Sequence, residues 1–285
     1  MANVLVEESS LSNIAKAIRY KNGTENTYKP SEMPNAIRSL VTEGSTTPYA
    51  PRCISFYNYS GTELDYEVDN LDTSNLTTME NMFYYAANIP SLDISHFNTS
   101  NVTTMRYAFY TCKALVDLDM SGCNFEKVKN FASMFYSCSK LANLNMGNFK
   151  NEVATDVSTM FKSCSSLKSI DLKNFKGTAV TSASSMFASC SRVESIDLSS
   201  FNPTKLTNVG SMFDNCKALM HLDIRSLDFS NVTSTSNGQV FRYMPGNCEI
   251  IVKDEANKQW VMTARTQLTN MSAFTNVKTV AELEA

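Results

Sequence analysis

The chain has 285 residues, is 43% hydrophobic and carries 25 basic and 28 acidic side chains, for a formal net charge of −3. This composition supports a continuous core and excludes a disordered chain. Without a basic excess or a long apolar run, we expect neither a nucleic-acid partner nor insertion into a membrane.

The first 41 residues show two groups of apolar residues at helical spacing, separated by a turn at Lys21-Asn-Gly-Thr. This pattern predicts two short helices in a segment at 1–41. Residues 1–10 have neither the basic start nor the apolar run typical of a signal peptide, so we expect none there. Residues 42–63 are predicted to be a linker and N-terminal cap, since 42–51 are rich in Gly, Pro, Ser and Thr.

The stretch from Ile14 to Leu40 resembles short helical segments of tail-associated proteins of phages and prophages. The resemblance covers few residues. It implies a phage tail assembly as a possible carrier of the chain.

Residues 64–247 contain a repeat with a period of 26 residues. Each unit has a phenylalanine, a cysteine three residues later in most units, and two aliphatic positions beyond them. Agreement among several registers indicates a stack of repeats. The phenylalanine register is Phe83, Phe109, Phe135, Phe161, Phe187 and Phe213, and the cysteine register is Cys112, Cys138, Cys164, Cys190 and Cys216.

Each unit is predicted to contain one short helix and one short strand. Met105, Ala108, Phe109 and Cys112 lie at i, i+3, i+4 and i+7, a spacing typical of a helix with one buried face. The later part of the unit alternates apolar and polar residues, as a half-buried strand does. We therefore predict an α/β leucine-rich-repeat solenoid with parallel strands.

The cysteine register lies on the apolar face of each unit, so we expect these thiols to pack in the core. Disulfide bonds or metal binding are the alternatives. No Cys-x2-Cys pair of the kind used by zinc sites is present, and no metal is expected.

The sequence pattern of the repeat resembles that of a known family. Leu92-Asp-Ile-Ser-His-Phe-Asn-Thr-Ser-Asn-Val-Thr fits the pattern L-D-[ILM]-S…F…[ST]-N-[VL]-T…M-F…C, which resembles the BspA-like leucine-rich-repeat surface proteins. The match covers about residues 64–252. It implies a bacterial surface protein or lipoprotein that mediates adhesion to host or matrix proteins.

Residues 248–285 depart from the repeat and are predicted to form a C-terminal cap. A strand is expected after Cys248, followed by a helix that begins at Asp254 and carries Trp260. Val277 to Val280 reads as a final strand.

A column of tyrosines is confined to the N-terminal repeats. Tyr84, Tyr110 and Tyr136 each follow a core phenylalanine, and Tyr85 and Tyr107 lie close by. We expect a partly exposed aromatic strip, because tyrosine is enriched in binding hot spots and aromatic rings stack on sugars. The alternative is that the strip packs under the N-terminal segment, which holds Tyr49, Tyr57, Tyr59 and Tyr66.

A second candidate surface is an acidic column on the strand face. Like charges about 4.8 Å apart repel each other, which favours a bound cation, a basic ligand or raised pKa values. The alternative is that these side chains bond to neighbouring strands or to water. The column consists of Asp93, Asp119, Asn145, Asp171, Asp197 and Asp223, of which the five aspartates are the candidate binding residues.

The sequence contains no pattern of residues that indicates catalysis. His96 and His221 lie in different registers, and no nucleophile or phosphate-binding motif is present. We expect no enzyme activity, catalytic residue or cofactor. The sequence predicts a non-catalytic protein that recognises a protein or glycan on a cell or host surface, located outside the cell or on a cell or virion surface. The alternative is a phage or prophage tail-associated structural or host-recognition protein.

Overall fold

A computed structural model describes residues 56–60, 62, 71–233, 239–266, 268 and 271–285. They form a parallel β-solenoid of about seven turns, which confirms the predicted stack of leucine-rich-repeat coils. The helices predicted within residues 1–41, and all but the last part of the predicted linker, lie outside the described residues.

Short strands line one side of the solenoid and pair in parallel. Leu118 pairs with Leu92 on one side and with Leu144 on the other, so the strand register follows the repeat. The coil at 167–172 has no strand, which corrects the prediction of one strand in every unit and divides the strand side into two sheets. The first sheet is β1 (Ser91–Asp93), β2 (Asp117–Asp119) and β3 (Asn143–Asn145), and the second is β4 (Ser195–Asp197), β5 (His221–Asp223), β6 (Glu249–Val252) and β7 (Val277–Thr279).

The prediction of a helix in each repeat was wrong. Within the part of the solenoid that the structure describes, the Met–Phe–Cys run forms tight turns in place of a helix. We call residues 79–86, and their equivalents in later coils, the turn segment. Inside it, the N–H of Met82 donates to the carbonyl of Met79 at 3.1 Å, and the N–H of Ala86 donates to that of Phe83 at 3.0 Å.

Other N–H groups of the turn segment join neighbouring coils. The N–H of Phe83 donates to the carbonyl of Ala108 at 2.7 Å, and the N–H of Tyr85 donates to that of Tyr110 at 2.8 Å. A helix would use these N–H groups for its own carbonyls, which would leave the coils unconnected on this side. The turns therefore satisfy backbone hydrogen-bonding groups and also link one coil to the next.

Residues with a left-handed backbone conformation separate the successive turns of the turn segment. Asn81 and Tyr85 both have φ of 58°, and later coils repeat this pair of positions. A right-handed helix cannot continue through such residues. The predicted burial still holds, because Met79, Met82, Phe83 and Ala86 are all fully buried.

A continuous column of phenylalanine rings fills the core. The rings stack nearly parallel from Phe56 to Phe241, with centroid separations between 5.0 and 6.0 Å. Phe56 adds a coil that is 27 rather than 26 residues from Phe83. The phenylalanine register is therefore the axis on which the coils stack.

The cysteine register forms a second column with a specific hydrogen bond. The thiol of Cys138 donates to the carbonyl oxygen of Phe109 at 3.0 Å, and the thiol of Cys164 donates to that of Phe135 at 3.0 Å. Every cysteine in the described residues is free and buried, which confirms the predicted packing in the core. A small side chain with a donor fits this position, because it fills the space and also satisfies a buried carbonyl.

We expect these thiols to resist modification in the native protein. Burial raises the pKa of Cys123, Cys190 and Cys248 to about 12, so little of the reactive thiolate is present near neutral pH. Ellman's reagent should react with all eight cysteines after denaturation, but in the native state with Cys53 at most, which lies outside the described residues. Rapid reaction of the native Cys53→Ser variant with Ellman's reagent would contradict the burial of these thiols.

The C-terminal residues cover the last coil. The expected strand after Cys248 is β6, and the expected helix with Trp260 is α1 (Glu255–Thr266). Asp254 begins this helix, since its Oδ1 accepts the N–H of Asn257 at 3.0 Å. Trp260 stacks on Phe229 with the ring centroids 4.0 Å apart. β7 and a short helix α2 (Val280–Glu284) follow.

Arg265 satisfies the carbonyl groups at the end of the stack. From Phe83 to Phe187 the carbonyl of each core phenylalanine receives a thiol from the following coil. The carbonyl of Phe241 instead receives Nη1 of Arg265. Nη2 donates to the carbonyl of Met244 at 2.9 Å, and Nε to that of Ser272 at 2.8 Å. The guanidinium lies over the ring of Phe274 and is almost fully buried. Arg265 thus takes over the donor role of the cysteine column.

Candidate functional site

A cluster of tyrosines lies on the turn side of the first coils. Tyr84 and Tyr110 stack with centroids 4.8 Å apart, and Tyr110 and Tyr136 stack at 4.7 Å. Tyr107 meets both Tyr84 and Tyr110 edge to face. The structure therefore brings together the predicted tyrosines. We call the whole cluster the tyrosine face, which consists of Tyr57, Tyr84, Tyr85, Tyr107, Tyr110 and Tyr136.

Tyr57 and Tyr85 also belong to this surface. Tyr85 was predicted to lie near the strip but was not a candidate binding residue, and Tyr57 was expected only in the packing alternative. Tyr57 continues the stack with its centroid 5.0 Å from that of Tyr84, and it is 56% exposed. The packing alternative is thus realised in part, because a residue before the repeats covers one end of the strip. Tyr59 packs partly against the core, while Tyr49 and Tyr66 lie outside the described residues.

The stacked rings present their edges to solvent. Tyr84 lies between Tyr57 and Tyr110 with interplanar angles of 2° and 6°, so both of its faces are covered. Tyr110 is covered in the same way by Tyr84 and Tyr136. The half-buried rings therefore offer ring edges and hydroxyl groups. Tyr85 is tilted against the stack and is 44% exposed.

Two tyrosines of the face occupy strained backbone positions. Tyr85 and Tyr107 have φ of 58° and 57°, in the left-handed region that bulky residues rarely adopt. Most other coils have a small or polar residue at these two registers. Those residues are Asn81, Thr111, Ser133, Ser137, Thr159, Ser163, Ser185, Ser189, Ser211, Asn215 and Gln239.

Cations flank the tyrosine face. The guanidinium of Arg106 lies 4.5 Å from the centroid of Tyr107 and donates to its hydroxyl at 2.9 Å. A distant contact of 3.9 Å joins Arg106 to Glu80. The ammonium of Lys162 lies 5.9 Å from the centroid of Tyr136. Burial and neighbouring tyrosines raise the pKa of Tyr84, so its phenol stays protonated and can donate a hydrogen bond.

The tyrosine face ends where the repeat sequence changes. The position of Tyr84, Tyr110 and Tyr136 is taken by Lys162 and Ala188 in the next coils, and then by Asp214. Asp214 binds Arg242 of the following coil through two hydrogen bonds, at 2.9 and 2.6 Å. The far half of the turn side therefore has an ion pair where the near half has stacked rings.

The carboxylates of the acidic column accept hydrogen bonds from backbone N–H groups. The Oδ1 atoms of Asp93 and Asp197 each accept the N–H of the residue two positions later at 2.8 Å. The other carboxylates of the column make the same turn. Asp223 also pairs with Arg225, whose Nη2 lies 2.6 Å from its Oδ2. Each carboxylate thus closes the turn that follows its position on the strand side, including Asp171, whose coil has no strand.

The expectation of raised pKa values in this column was wrong where a shift is resolved. Hydrogen bonds from Ser121 lower the pKa of Asp119. Burial raises the pKa of Asp197, but the hydrogen bonds from Ser199 outweigh it and leave the pKa lowered. No group of three or more metal-binding side chains occurs among the described residues.

The two histidines lie apart in the structure. His96 contacts Phe97 edge to face, while Nδ1 of His221 lies 3.0 Å from Oε2 of Glu249. Glu249 also accepts from Nζ of Lys278 at 2.8 Å, so its pKa is lowered. A groove of about 410 Å³ includes Arg225, Asp228 and Lys253, and its lining contains neither a histidine nor a cysteine.

No helix in the described ranges is both long and apolar enough to cross a bilayer. The fold is similar to that of the leucine-rich repeat protein of T. pallidum, at 16% identity and a TM-score of 0.28, over 55% of this chain and 54% of that one. It is also similar to a leucine-rich cell surface protein of Faecalibacterium prausnitzii A2-165, at 17% identity and a TM-score of 0.21, over 66% and 68%. The chain therefore spans about half the length of the T. pallidum structure.

No curated protein is significantly similar to this chain in sequence. One family model matches residues 54–175 and again 142–245, which together make up more than half of the chain. These matches coincide with the coils that carry the phenylalanine and cysteine columns. The chain belongs to the family described as "Mycoplasma protein of unknown function, DUF285".

Proposed function

We propose that this chain is a non-catalytic binding protein whose tyrosine face contacts a protein or glycan ligand on a cell or host surface. The observation that carries the proposal is the pair Tyr85 and Tyr107, which places aromatic side chains at left-handed positions. Such a conformation costs an ordinary residue about 1–2 kcal/mol. Tyr85 gains little core packing in return, since 44% of its surface is exposed.

Strained residues that point outward often serve a contact beyond the fold. Tyrosine suits such a contact, because it supplies a large rigid ring and a hydroxyl group at a low cost in side-chain entropy. The stacked neighbours Tyr84 and Tyr110 hold the face rigid, so little conformational freedom is lost when a ligand binds.

We extend the proposal to family and location. The Leu-Asp-Ile-Ser pattern at Leu92, together with the stacked coils that contain it, supports a BspA-like surface protein with a role in adhesion, located outside the cell or on a cell or virion surface. The alternative carrier, a phage or prophage tail, rests on residues 1–41, which lie outside the described residues. Recovery of the full chain in purified particles would support that carrier.

Replacing both strained tyrosines should weaken binding strongly without loss of stability. We expect a Tyr85→Asn, Tyr107→Asn variant to bind intact bacterial or mammalian cells at least about tenfold more weakly, because two hot-spot rings are lost. Its midpoint of thermal unfolding should be equal or higher, since asparagine tolerates positive φ. Flow cytometry with fluorescently labelled protein measures the first quantity and calorimetry the second.

Tyr243 provides the matched control. It lies in the same register as Tyr85, has φ of 60° and is 52% exposed, but it belongs to the last coil. Tyr243→Asn should leave cell binding unchanged. Saturable binding that survives in the double variant would overturn the proposal.

A further inference from the structure

Charge is segregated between the two sides of the first four coils. The turn sides, at 77–88, 103–114, 129–140 and 155–166, contain more basic than acidic residues. The strand positions, at 91–93, 117–119, 143–145 and 169–171, contain acidic residues and no basic one. The basic residues of the turn sides are Arg106, Lys113, Lys129, Lys140 and Lys162, the acidic ones are Glu80 and Asp156, and the strand positions hold Asp93, Asp117, Asp119 and Asp171.

The ring geometry adds to this positive potential. An aromatic ring is negative on its faces and positive along its hydrogen-bearing edge. Because Tyr84 and Tyr110 are covered on both faces, the surface that they offer is the positive edge together with a protonated hydroxyl donor. The negative faces of Tyr107 and Tyr136 lie toward Arg106 and Lys162.

From this arrangement we infer that the tyrosine face binds an acidic polypeptide segment, in which Asp or Glu carboxylates meet the hydroxyls, the ring edges and the flanking cations. The inference deepens the proposed function and rests on it. The chain as a whole has a net charge of −3, so the attraction is local to this surface. Carboxylates accept charge-assisted hydrogen bonds from both phenols and ammonium groups.

A polypeptide fits this surface better than a glycan. A sugar ring stacks on an exposed aromatic face, and in the middle of the cluster those faces are covered by other rings. The face of Tyr107 is further contacted by Arg106. Acidic side chains on a flexible backbone can reach the separate donors, which are repeated from coil to coil.

The test is binding of a fluorescein-labelled oligoglutamate peptide to the full chain, followed by fluorescence anisotropy at several salt concentrations. We expect saturable binding that weakens with salt, and no binding of oligolysine. Lys113→Glu should weaken binding roughly fivefold or more, because it reverses a charge on the turn side of the coil that holds Tyr107 and Tyr110. Glu80→Gln should strengthen binding, since it removes the acidic partner of Arg106.

Lys217→Glu is the matched control. Lys217 is exposed and occupies the register of Lys113 in a distant coil, so the change in net charge is the same. It should change the affinity less than about twofold. Equal losses in the two variants would show unspecific attraction and overturn the inference.

A uronic-acid oligosaccharide, such as a hyaluronan fragment, separates the two sources of carboxylate. Binding of this glycan but not of oligoglutamate, with the same dependence on Lys113, would overturn the polypeptide assignment. Failure of both probes, with cell binding still dependent on Tyr85 and Tyr107, would overturn this inference and leave the proposed function intact. Cell binding that is unchanged in the Tyr85→Asn, Tyr107→Asn variant would overturn the proposed function itself.

Discussion

Arg265→Ala should destabilise the C-terminal end of the solenoid by roughly 3 kcal/mol or more, because hydrogen bonds from a charged group contribute about 1.5–3 kcal/mol each. The substitution leaves the buried carbonyls of Phe241 and Met244 without the donor that replaces the next coil. Guanidinium chloride unfolding followed by the fluorescence of Trp260, the single tryptophan, reports on this cap directly.

Arg265→Lys distinguishes the geometry of the donor from its charge. An ammonium group is a compact point charge, whereas the guanidinium reaches three carbonyls at once, so we expect lysine to recover only a minor part of the loss. A full recovery would mean that positive charge alone holds the cap. In both variants far-UV circular dichroism should show that the distant coils unfold later than the cap, since contacts in a solenoid are between neighbours.

Phe161→Ala should cost about 3–5 kcal/mol, the range for truncation of a buried aromatic residue. Phe161 is fully buried near the middle of the stack, with Phe135 at 5.4 Å on one side and Phe187 at 5.8 Å on the other. The variant loses both ring contacts and has a cavity between the N-terminal and C-terminal halves of the solenoid. We expect a broader denaturation transition, because coupling between the halves is weakened.

Phe56→Ala serves as the comparison, since this ring is only partly buried and, among the residues that the structure describes, stacks on Phe83 alone. It should cost clearly less than Phe161→Ala. Equal losses at the two sites would indicate that the stability of the chain does not depend on position in the stack.

The buried registers and their phase could be predicted from the sequence. A period of 26 residues places Phe109 and Cys138 at equivalent points of successive coils, and both are buried. The turn segment was misassigned because apolar residues at i, i+3, i+4 and i+7 fit a helix and a series of tight turns equally well. Recurrent Ser and Thr, as at Ser133, Ser137 and Thr159, were the available signal, since they are weak helix formers.

The site was predictable in its location but not in its geometry. The repeat register places Tyr84 beside Tyr110, but whether faces or edges point outward depends on ring torsion angles that the pattern does not encode. Tyr57 was missed as a member because it lies 27 residues before Tyr84, one residue out of phase. Arg265 was missed because a charged residue near a helix end is ordinarily expected at the surface.

The uniform spacing of the coils has a consequence for how this molecule can change in size. Each coil bonds to the next through the same turn-segment N–H groups, so duplicating one whole unit, such as 105–130, would offer new neighbours the same partners. An added unit with a tyrosine in the register of Tyr110 would lengthen the aromatic row by one ring, or about 4.8 Å. The length of the tyrosine face can therefore grow by gene duplication in equal steps, with both ends of the stack left as they are.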